Sequence, residues 1–529
     1  MLKYNYIKSI AGSPTSLLAL VIAAGSAYLF GVIFYRLYLH PLAKYPGPFL
    51  GRFTDWYSVH QAWNGTRHLD FYRLHQKYGD FVRYGPNSLS VNTNTALQKI
   101  YGFKSNVKKA NFYSAFPVNP GAYSTHSSID KNLHARKRRV LSQAFSDNAM
   151  RGLQPHILHI IRKFCNAIAD LPVETSNYED KSKKWSSPKN MGQWTNYMSY
   201  DVLGDICYGK SFDTLERDDN RFAVELVGTS SKFHYLNGQM PRLKKLGLDR
   251  ILFPKIRADR ERFMAYSKSR LAERMKLGTD TDRRDFFYYL LNAKDPETGQ
   301  GFAVPELWGE SNVLLIAGSD TTSTAFAACF FQLLHSQHAL ARLTKEVRST
   351  FSKLEDIVTG TQLSSCHYLR ACIDEAMRLS PPVASVLPRE VLSGGIDVDG
   401  EHILEGTVIG VPAYALHHKR QYYPDPCAYR PERWLVGDFS NENVAAFTAE
   451  DVSLAQSAFC PFSIGPRGCI GKGIAYLELT IALARVAWLY DMRLAEGEDV
   501  GRGSDGGYKL VDCFVAHKDG PMVEFKLRT

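Results

Sequence analysis

From Ser9 to Tyr35 the chain carries no charged residue. No internal repeat, low-complexity run or long Gly/Ser linker interrupts it. A length of 529 residues would allow two to four domains, but the lack of linkers makes everything after the N-terminus one large globular unit. Cysteines number nine, odd and without a pairing rhythm, which argues against a disulfide framework and fits a reducing, cytosol-facing compartment. No nucleic-acid motif accompanies the formal charge of +11 and the pI near 9.0, and the basic residues are spread along the chain. The positive balance therefore points to an acidic protein partner or an anionic membrane surface, not to nucleic acid.

What is present begins with the apolar stretch Leu17 to Tyr35, close to the roughly 20 residues that cross the hydrocarbon of a bilayer. It is too long for the apolar region of a cleaved signal peptide and lacks a small-residue cleavage site, so a retained anchor is expected over residues 1–40. Arg36, Lys44 and Arg52 follow the span and Lys3 and Lys8 precede it, which favours a cytoplasmic body. Pro41, Pro46, Gly47 and Pro48 cannot continue a helix and mark a stiff hinge over 41–52. The body then runs over 53–529. Asn64-Gly65-Thr66 is a glycosylation sequon, expected to stay unused on the cytosolic side.

Alternation around Gly79 to Tyr84 predicts a small β region over 78–95. A loop with Phe112, Tyr113, Phe116 and Tyr123 among Pro117, Pro120 and Gly121 follows; its rings either pack the loop down or cap a pocket. His134-Ala135-Arg136-Lys137-Arg138-Arg139 opens a basic helix, with His134 and Arg138 on one face. Its four cations form either a solvated face or a docking patch for an acidic electron donor. Residues 150–290 read as mostly helical. A long helix is expected from Pro305, suited to a first turn, to about His335. At its centre stands Ala317-Gly318-Ser319-Asp320-Thr321-Thr322, whose poor helix formers predict a bulge or kink. Ala317 and Gly318 leave room for a flat cofactor, and Asp320 with Thr321 pairs an acid and an alcohol able to pass protons. Glu375 and Arg378 lie three apart on one helix face, and Pro431-Glu432-Arg433-Trp434 follows. Ile474 to Tyr490 has helical periodicity, and Leu510 to Lys526 reads as a β-hairpin turning at Gly520-Pro521, with Phe514 near a pocket.

The stretch Phe462-Ser463-Ile464-Gly465-Pro466-Arg467-Gly468-Cys469-Ile470-Gly471 carries the sharpest signal. Three glycines in seven residues allow a tight turn and a close approach to a flat ligand, and Arg467 sets a cation two positions before Cys469. A buried structural cysteine is the ordinary alternative. Gly471-Lys472 is not the end of a phosphate loop, because Pro466 and Gly473 stand where Gly and Ser or Thr are needed. A cysteine nucleophile would want a histidine partner, which sixteen histidines leave open, but no hydrolase signature surrounds Cys469.

The pattern F-x-x-G-x-R-x-C-x-G resembles the haem-binding signature of the cytochrome P-450 family. The central helix resembles that family's oxygen-activation motif A-G-x-D-T-T, and E-x-x-R with P-E-R-W resembles its structural triad of Glu375, Arg378 and Arg433. The resemblance covers nearly the whole chain, in family order. It implies a mostly α (α+β) fold, helix-rich with small sheets, behind one transmembrane helix. It implies haem b bound by Cys469 as axial thiolate, with Phe462, Arg467, Gly471 and Ala317 around the cofactor. Arg138 and Arg389 become propionate partners; His134 stands where the family often has Trp. Val383, Ala384 and Val386 become pocket liners, and His417 is read as structural. Asp320 and Thr321 would deliver protons during dioxygen activation, and a lipophilic small molecule would be hydroxylated. No flavin or iron–sulfur segment is present, so electrons would come from NADPH-cytochrome P-450 reductase in the endoplasmic reticulum membrane. The wording Tyr38 to Pro48 is similar to fungal microsomal members that oxidise terpenoid, polyketide or alkaloid intermediates of secondary metabolism. Two other readings are a haem-thiolate isomerase or dehydratase, which commonly loses the acid–threonine pair kept here, and a non-catalytic membrane haem-binding protein.

Overall fold

Helices begin and end where caps and breakers in the sequence allow. The computed structural model describes residues 14–117, 123–172, 184–276, 278, 284–437, 446–497 and 499–528. Residues 9–13 of the uncharged run, Lys3, Lys8, Pro120 and Gly121 lie outside these. Helix α1, Pro14–Phe34, has 21 residues and buries no side chain against the body. It is apolar on every face and about 30 Å long, enough to cross a membrane. Behind it, Arg83 donates from its backbone to Pro46 O (2.8 Å) and from its guanidinium to Arg36 O (2.7 Å). These bonds tie the Pro-rich segment to the body.

The helices that build the body are α2 (Lys131–Ser142), α3 (Asp147–Ile168), α4 (Met191–Tyr208), α5 (Phe222–Gln239), α6 (Pro254–Lys276), α7 (Val304–Leu334), α8 (His367–Leu379) and α9 (Lys472–Leu489). One apolar core takes residues from α3, α4, α7, α8 and α9. The α7 helix is also long and apolar enough to span a membrane, but 67% of its apolar window is buried, which makes it the core helix of the body. Glu306 caps its start by accepting from Ala303 N (3.0 Å), and Pro305 sits in the first turn. No bulge interrupts it. Instead Ser319, Thr321 and Thr324 return their hydroxyls to the carbonyls of Leu315, Ala317 and Asp320 one turn back. That local bonding satisfies polar groups inside a buried helix. Gly318 does not make room for a cofactor: a Cβ there would meet the Leu203 side chain at 2.8 Å, so the glycine admits α4 against α7.

The strands are β1 (Phe81–Gly85), β2 (Ser88–Val91), β3 (Val107–Lys109), β4 (Lys189–Asn190), β5 (Arg389–Val391), β6 (Ile396–Val398), β7 (Glu401–Ile403), β8 (Val408–Gly410), β9 (Tyr490–Leu494), β10 (Leu510–Cys513), β11 (Val515–Lys518) and β12 (Met522–Leu527). Five form one sheet in the order β1-β2-β8-β5-β3. Its antiparallel β3–β5 register sets Lys109 opposite Arg389. The C-terminal hairpin turns at Phe514, between β10 and β11, and not at Gly520-Pro521. Phe514 adopts φ +78° there while its N–H donates to Asp512 Oδ1 (3.2 Å). After Gly520-Pro521 the chain leaves that hairpin, and β12 pairs with β9 and β4.

The cations of α2 do not form an open patch. Arg136 and Lys137 both reach Glu306 (2.6 and 2.5 Å), Arg139 reaches Asp295 (2.7 Å), and Arg138 turns inward. Asp201 in α4 accepts from Thr214 N (2.9 Å) and Leu215 N (3.0 Å), and His417 accepts from Cys460 N (3.0 Å). All are packing roles.

Glu375 in α8 is fully buried and takes two bonds from Arg378 (both 2.8 Å), one from Arg433 Nε (2.9 Å) and one from Trp434 Nε1 (3.0 Å). Burial alone would raise this carboxyl; Arg378, Arg433 and the hydrogen bonds outweigh it and bring it down to about 2. Its contribution to stability is therefore present above its ordinary value of 4.5 and is lost as pH falls toward 2. Arg433→Ala should destabilise the body by about 3–5 kcal/mol, because a buried carboxylate loses a partner. Urea or thermal unfolding of the purified protein measures this, and a loss below about 1 kcal/mol would contradict the buried-triad account.

Candidate active site

The cysteine loop closes on itself before α9 begins. Cys469 N donates to Phe462 O (2.9 Å) and Gly468 N to Gly465 O (2.9 Å). Gly465 has φ +67°, and a Cβ there would lie 2.1 Å from Tyr101 O, so only glycine fits. The Phe462 ring packs 5.1 Å from Tyr476 of α9. Burial pushes the Cys469 thiol up, while the Gly471 N–H, Arg138 and Lys472 pull it down. By surface area the residue is nevertheless exposed. Both hold together if the sulfur opens on an internal face enclosed by protein. Between Glu306 and Leu334, Ala317 is likewise the one exposed residue of α7.

Four cations converge beside this loop. Arg138 Nη1 donates to Gly468 O (2.9 Å), and Arg467 reaches Ser128 O (2.7 Å) and Ile129 O (3.3 Å). Arg389 Nη1 donates to Tyr113 Oη (3.2 Å), and Lys109 Nζ donates to His126 O and sits 4.2 Å from the Tyr113 ring centre. Burial, then Arg389, Arg467 and Arg138, drive the Lys109 ammonium well below its usual range. Burial and Arg389 lower Arg467 to about 10. His134, lowered to about 3 by burial and the same cations, is neutral. No ion pair to a carboxylate is formed by any of the four among the described residues. Like charges set opposite each other in a sheet are unfavourable. A ligand carrying two carboxylates would relieve that repulsion, which is the fit required of a haem with its propionates.

At the middle of α7 the Thr321 hydroxyl donates to Ala317 O (2.6 Å). The Asp320 carboxyl has no hydrogen-bond partner among the described residues. Burial raises it to about 6, and Lys518 opposes that shift. Lys518, on β11, is buried and is lowered to about 8 by burial, with Asp320 opposing. Its ammonium donates to Ser323 Oγ (2.6 Å) and Asn196 Oδ1, which holds it one helical turn from Asp320. This is an acid poised near neutrality, next in sequence to an alcohol on the same helix.

The cysteine loop, Arg138, Arg389 and Arg467 thus meet at one cluster, and Asp320, Thr321 and Ala317 share α7. Sequence reasoning missed Lys109, Lys518, Ser323 and Asn196. A lysine in the strand that precedes the aromatic loop was the available signal for Lys109; Lys518 had none.

An exposed Cys469 thus lies beside four buried or half-buried cations that form no ion pair among the described residues. The chain belongs to the cytochrome P-450 family, whose model matches residues 41–508. It is 39% identical over 537 residues to cytochrome P-450 monooxygenase apf7 of Gibberella fujikuroi, covering 98% of each protein. Over 510 residues it is 39% identical to cytochrome P-450 monooxygenase AKT7 of Alternaria alternata, covering 94% of this chain and 95% of that one. A third relative, cytochrome P-450 monooxygenase poxM of Penicillium oxalicum, is 38% identical over 523 residues. The protein is accordingly an oxygen-incorporating oxidoreductase of the haem b, cysteine-thiolate type, which uses dioxygen, a small-molecule substrate and a redox partner.

Replacing Lys518 by Met removes the charge that favours the Asp320 carboxylate, so Asp320 should titrate above about 6. The pH dependence of its carboxyl infrared band, assigned by its loss in Asp320→Asn, reads this directly. An unshifted band would separate Lys518 from the acid.

Proposed function

We propose that this chain hydroxylates, or further oxidises, a lipophilic intermediate of fungal secondary metabolism of the terpenoid, polyketide or alkaloid kind. Electrons come from NADPH-cytochrome P-450 reductase. The anchor over residues 1–40 and the hinge over 41–52 hold a catalytic domain, 53–529, on the cytosolic face of the endoplasmic reticulum. The observation that carries the reading is the exposed Cys469 beside Lys109, Arg138, Arg389 and Arg467, buried or half-buried cations without carboxylate partners among the described residues.

In this reading Cys469 would hold the haem iron through its sulfur, and the Gly471 N–H would tune that sulfur. The four cations would receive the propionates, and the exposed Ala317 would border the haem. Bound there, haem supplies the redox chemistry that activates dioxygen. The chain's own part is to position the substrate, exclude water and deliver protons. Asp320 stands near neutral pH as donor and acceptor, and Thr321, the next residue of α7, carries a hydroxyl. Thr321 donates to Ala317 O, so it must turn away from that carbonyl to pass a proton on. Retention of this acid–alcohol pair favours oxygen insertion over an isomerase or dehydratase reaction.

Cys469→Ala should abolish the thiolate-type absorbance band of the reduced carbon monoxide complex; a band that survives rejects the ligand. Thr321→Ala should keep NADPH consumption with reductase but divert it to hydrogen peroxide, and unchanged coupling removes Thr321 from proton delivery. On microsomes Asn64 should carry no glycan; a glycan there reverses the topology.

A further inference from the structure

The turn over residues 124–128 is fixed to two parts of the site, α7 and the cationic cluster. It closes on itself: Ser128 N donates to Ser124 O (2.9 Å) and Ser124 N to Ser127 Oγ (2.9 Å). Three side chains from elsewhere then hold it. Glu310 of α7 accepts from Thr125 N (2.7 Å) and Thr125 Oγ1 (3.0 Å), Lys109 Nζ donates to His126 O, and Arg467 donates to Ser128 O (2.7 Å). Ser124, Thr125, Ser127 and Ser128 are buried, and His126 alone of the five is half-buried. Burial nevertheless drives its imidazole well below the usual range, with Lys109, His234, Arg389 and Arg467 adding to the effect. As with Cys469, both hold together if the ring opens on a space enclosed by protein.

Three aromatic rings pack edge-on with that imidazole: Tyr113 at 5.6 Å, Phe116 at 5.1 Å and Phe514 at 5.5 Å between ring centres. Tyr113 accepts from Arg389 of the cluster, and Phe514 tips the hairpin whose Ala516 O accepts from Thr324 of α7 (3.1 Å). Phe116 and Phe514 are themselves half-buried. The neighbouring His234 of α5, stacked on Phe116 at 5.4 Å, spends Nδ1 on Ala115 O (2.7 Å). Neither ring nitrogen of His126 has a hydrogen-bond partner among the described residues; only its backbone oxygen does. Buried polar groups are ordinarily paired. Neutral or charged, an imidazole keeps at least one N–H to donate. We propose that the His126 ring donates to a neutral oxygen, hydroxyl or carbonyl, of the substrate, whose flat apolar body lies against Phe116 and Phe514. That assignment rests on the reading of the substrate as a lipophilic small molecule and narrows it to one that already carries oxygen. A hydrocarbon of the same size leaves the ring unpaired, and sites built to bond a polar group discriminate against such analogues.

Soret-band titration of the full-length holoprotein in detergent micelles with 2-naphthol and 2-methylnaphthalene, a hydroxyl and a methyl on one flat frame, tests this. The ratio of their dissociation constants, corrected for partition into micelles, is compared between wild type, His126→Phe and His126→Gln. Wild type should favour the naphthol about fivefold more than His126→Phe does, the worth of one hydrogen bond. His126→Gln keeps an N–H donor and should restore most of that preference, a recovery that a packing role alone does not produce. Should His126→Phe fail to fold, His126→Leu removes the same nitrogens and takes its place. A ratio unchanged in His126→Phe, a ratio that stays low in His126→Gln, or failure of wild type to bind either probe overturns the proposal. Faster haem transfer to apomyoglobin from His126→Phe, with both probes weakened alike, makes the ring a propionate partner and also overturns it. Binding requires no electron transfer. Naphthol preference without NADPH-driven turnover therefore counts against the proposed function alone, and turnover without that preference against this inference alone.

Discussion

Four buried or half-buried cations with no carboxylate partner among the described residues are the constraint on which the site depends. Lys109, Arg138, Arg389 and Arg467 converge beside the cysteine loop, and the β3–β5 register sets two of them directly opposite each other. Burying a cation is costly unless an anion or good hydrogen bonds accompany it. The carbonyls of Gly468, Ser128, Ile129 and His126 supply hydrogen bonds but no net charge. The Glu375 cluster shows how this same chain completes a buried charge when it means to: two guanidiniums, an indole N–H and a backbone amide around one carboxylate. The difference between the two clusters separates a scaffold from a binding site. It also couples folding to the cofactor, since a dianion that binds only the native arrangement stabilises it.

The second half of the site depends on α7 staying helical where its residues disfavour helix. Gly318 is tolerated because the Leu203 side chain packs where a Cβ would be. The hydroxyls are tolerated because each returns to its own helix. What remains is a continuous helix under Asp320, whose carboxyl is held between burial, which favours the acid, and Lys518, which favours the carboxylate.

Motifs written in consecutive residues were legible in the sequence. The cysteine loop and the E-x-x-R pair encode geometry within one or two turns and stand where their spacing placed them, whereas the centre of α7 kept its helix without the expected bulge and packs Gly318 on Leu203. Contacts set by distant register were not legible. Lys518 reaches Ser323 across 195 positions, and no local pattern announces such a bond. The hairpin turn was misplaced because Gly520-Pro521 has turn chemistry, whereas Phe514 takes a positive φ with Asp512 accepting its N–H, a local bond that substitutes for glycine. The basic run of α2 looked like a surface patch because sequence does not show Glu306 and Asp295 waiting at the start of α7 and just before it.

The sulfur itself follows from the same electrostatics. Burial favours the neutral thiol, and Arg138, Lys472 and the Gly471 amide are too weak to reverse it, since the net shift is upward. A thiol left alone there would stay protonated and a poor nucleophile. A metal cation brought to the sulfur changes that balance, because binding and loss of the proton are one equilibrium. On the proposed reading the neighbouring cations would matter less for the sulfur than for carboxylates arriving with the metal. A loop that released its proton unaided would be a reactive thiol; burial keeps this one protonated in the absence of a metal.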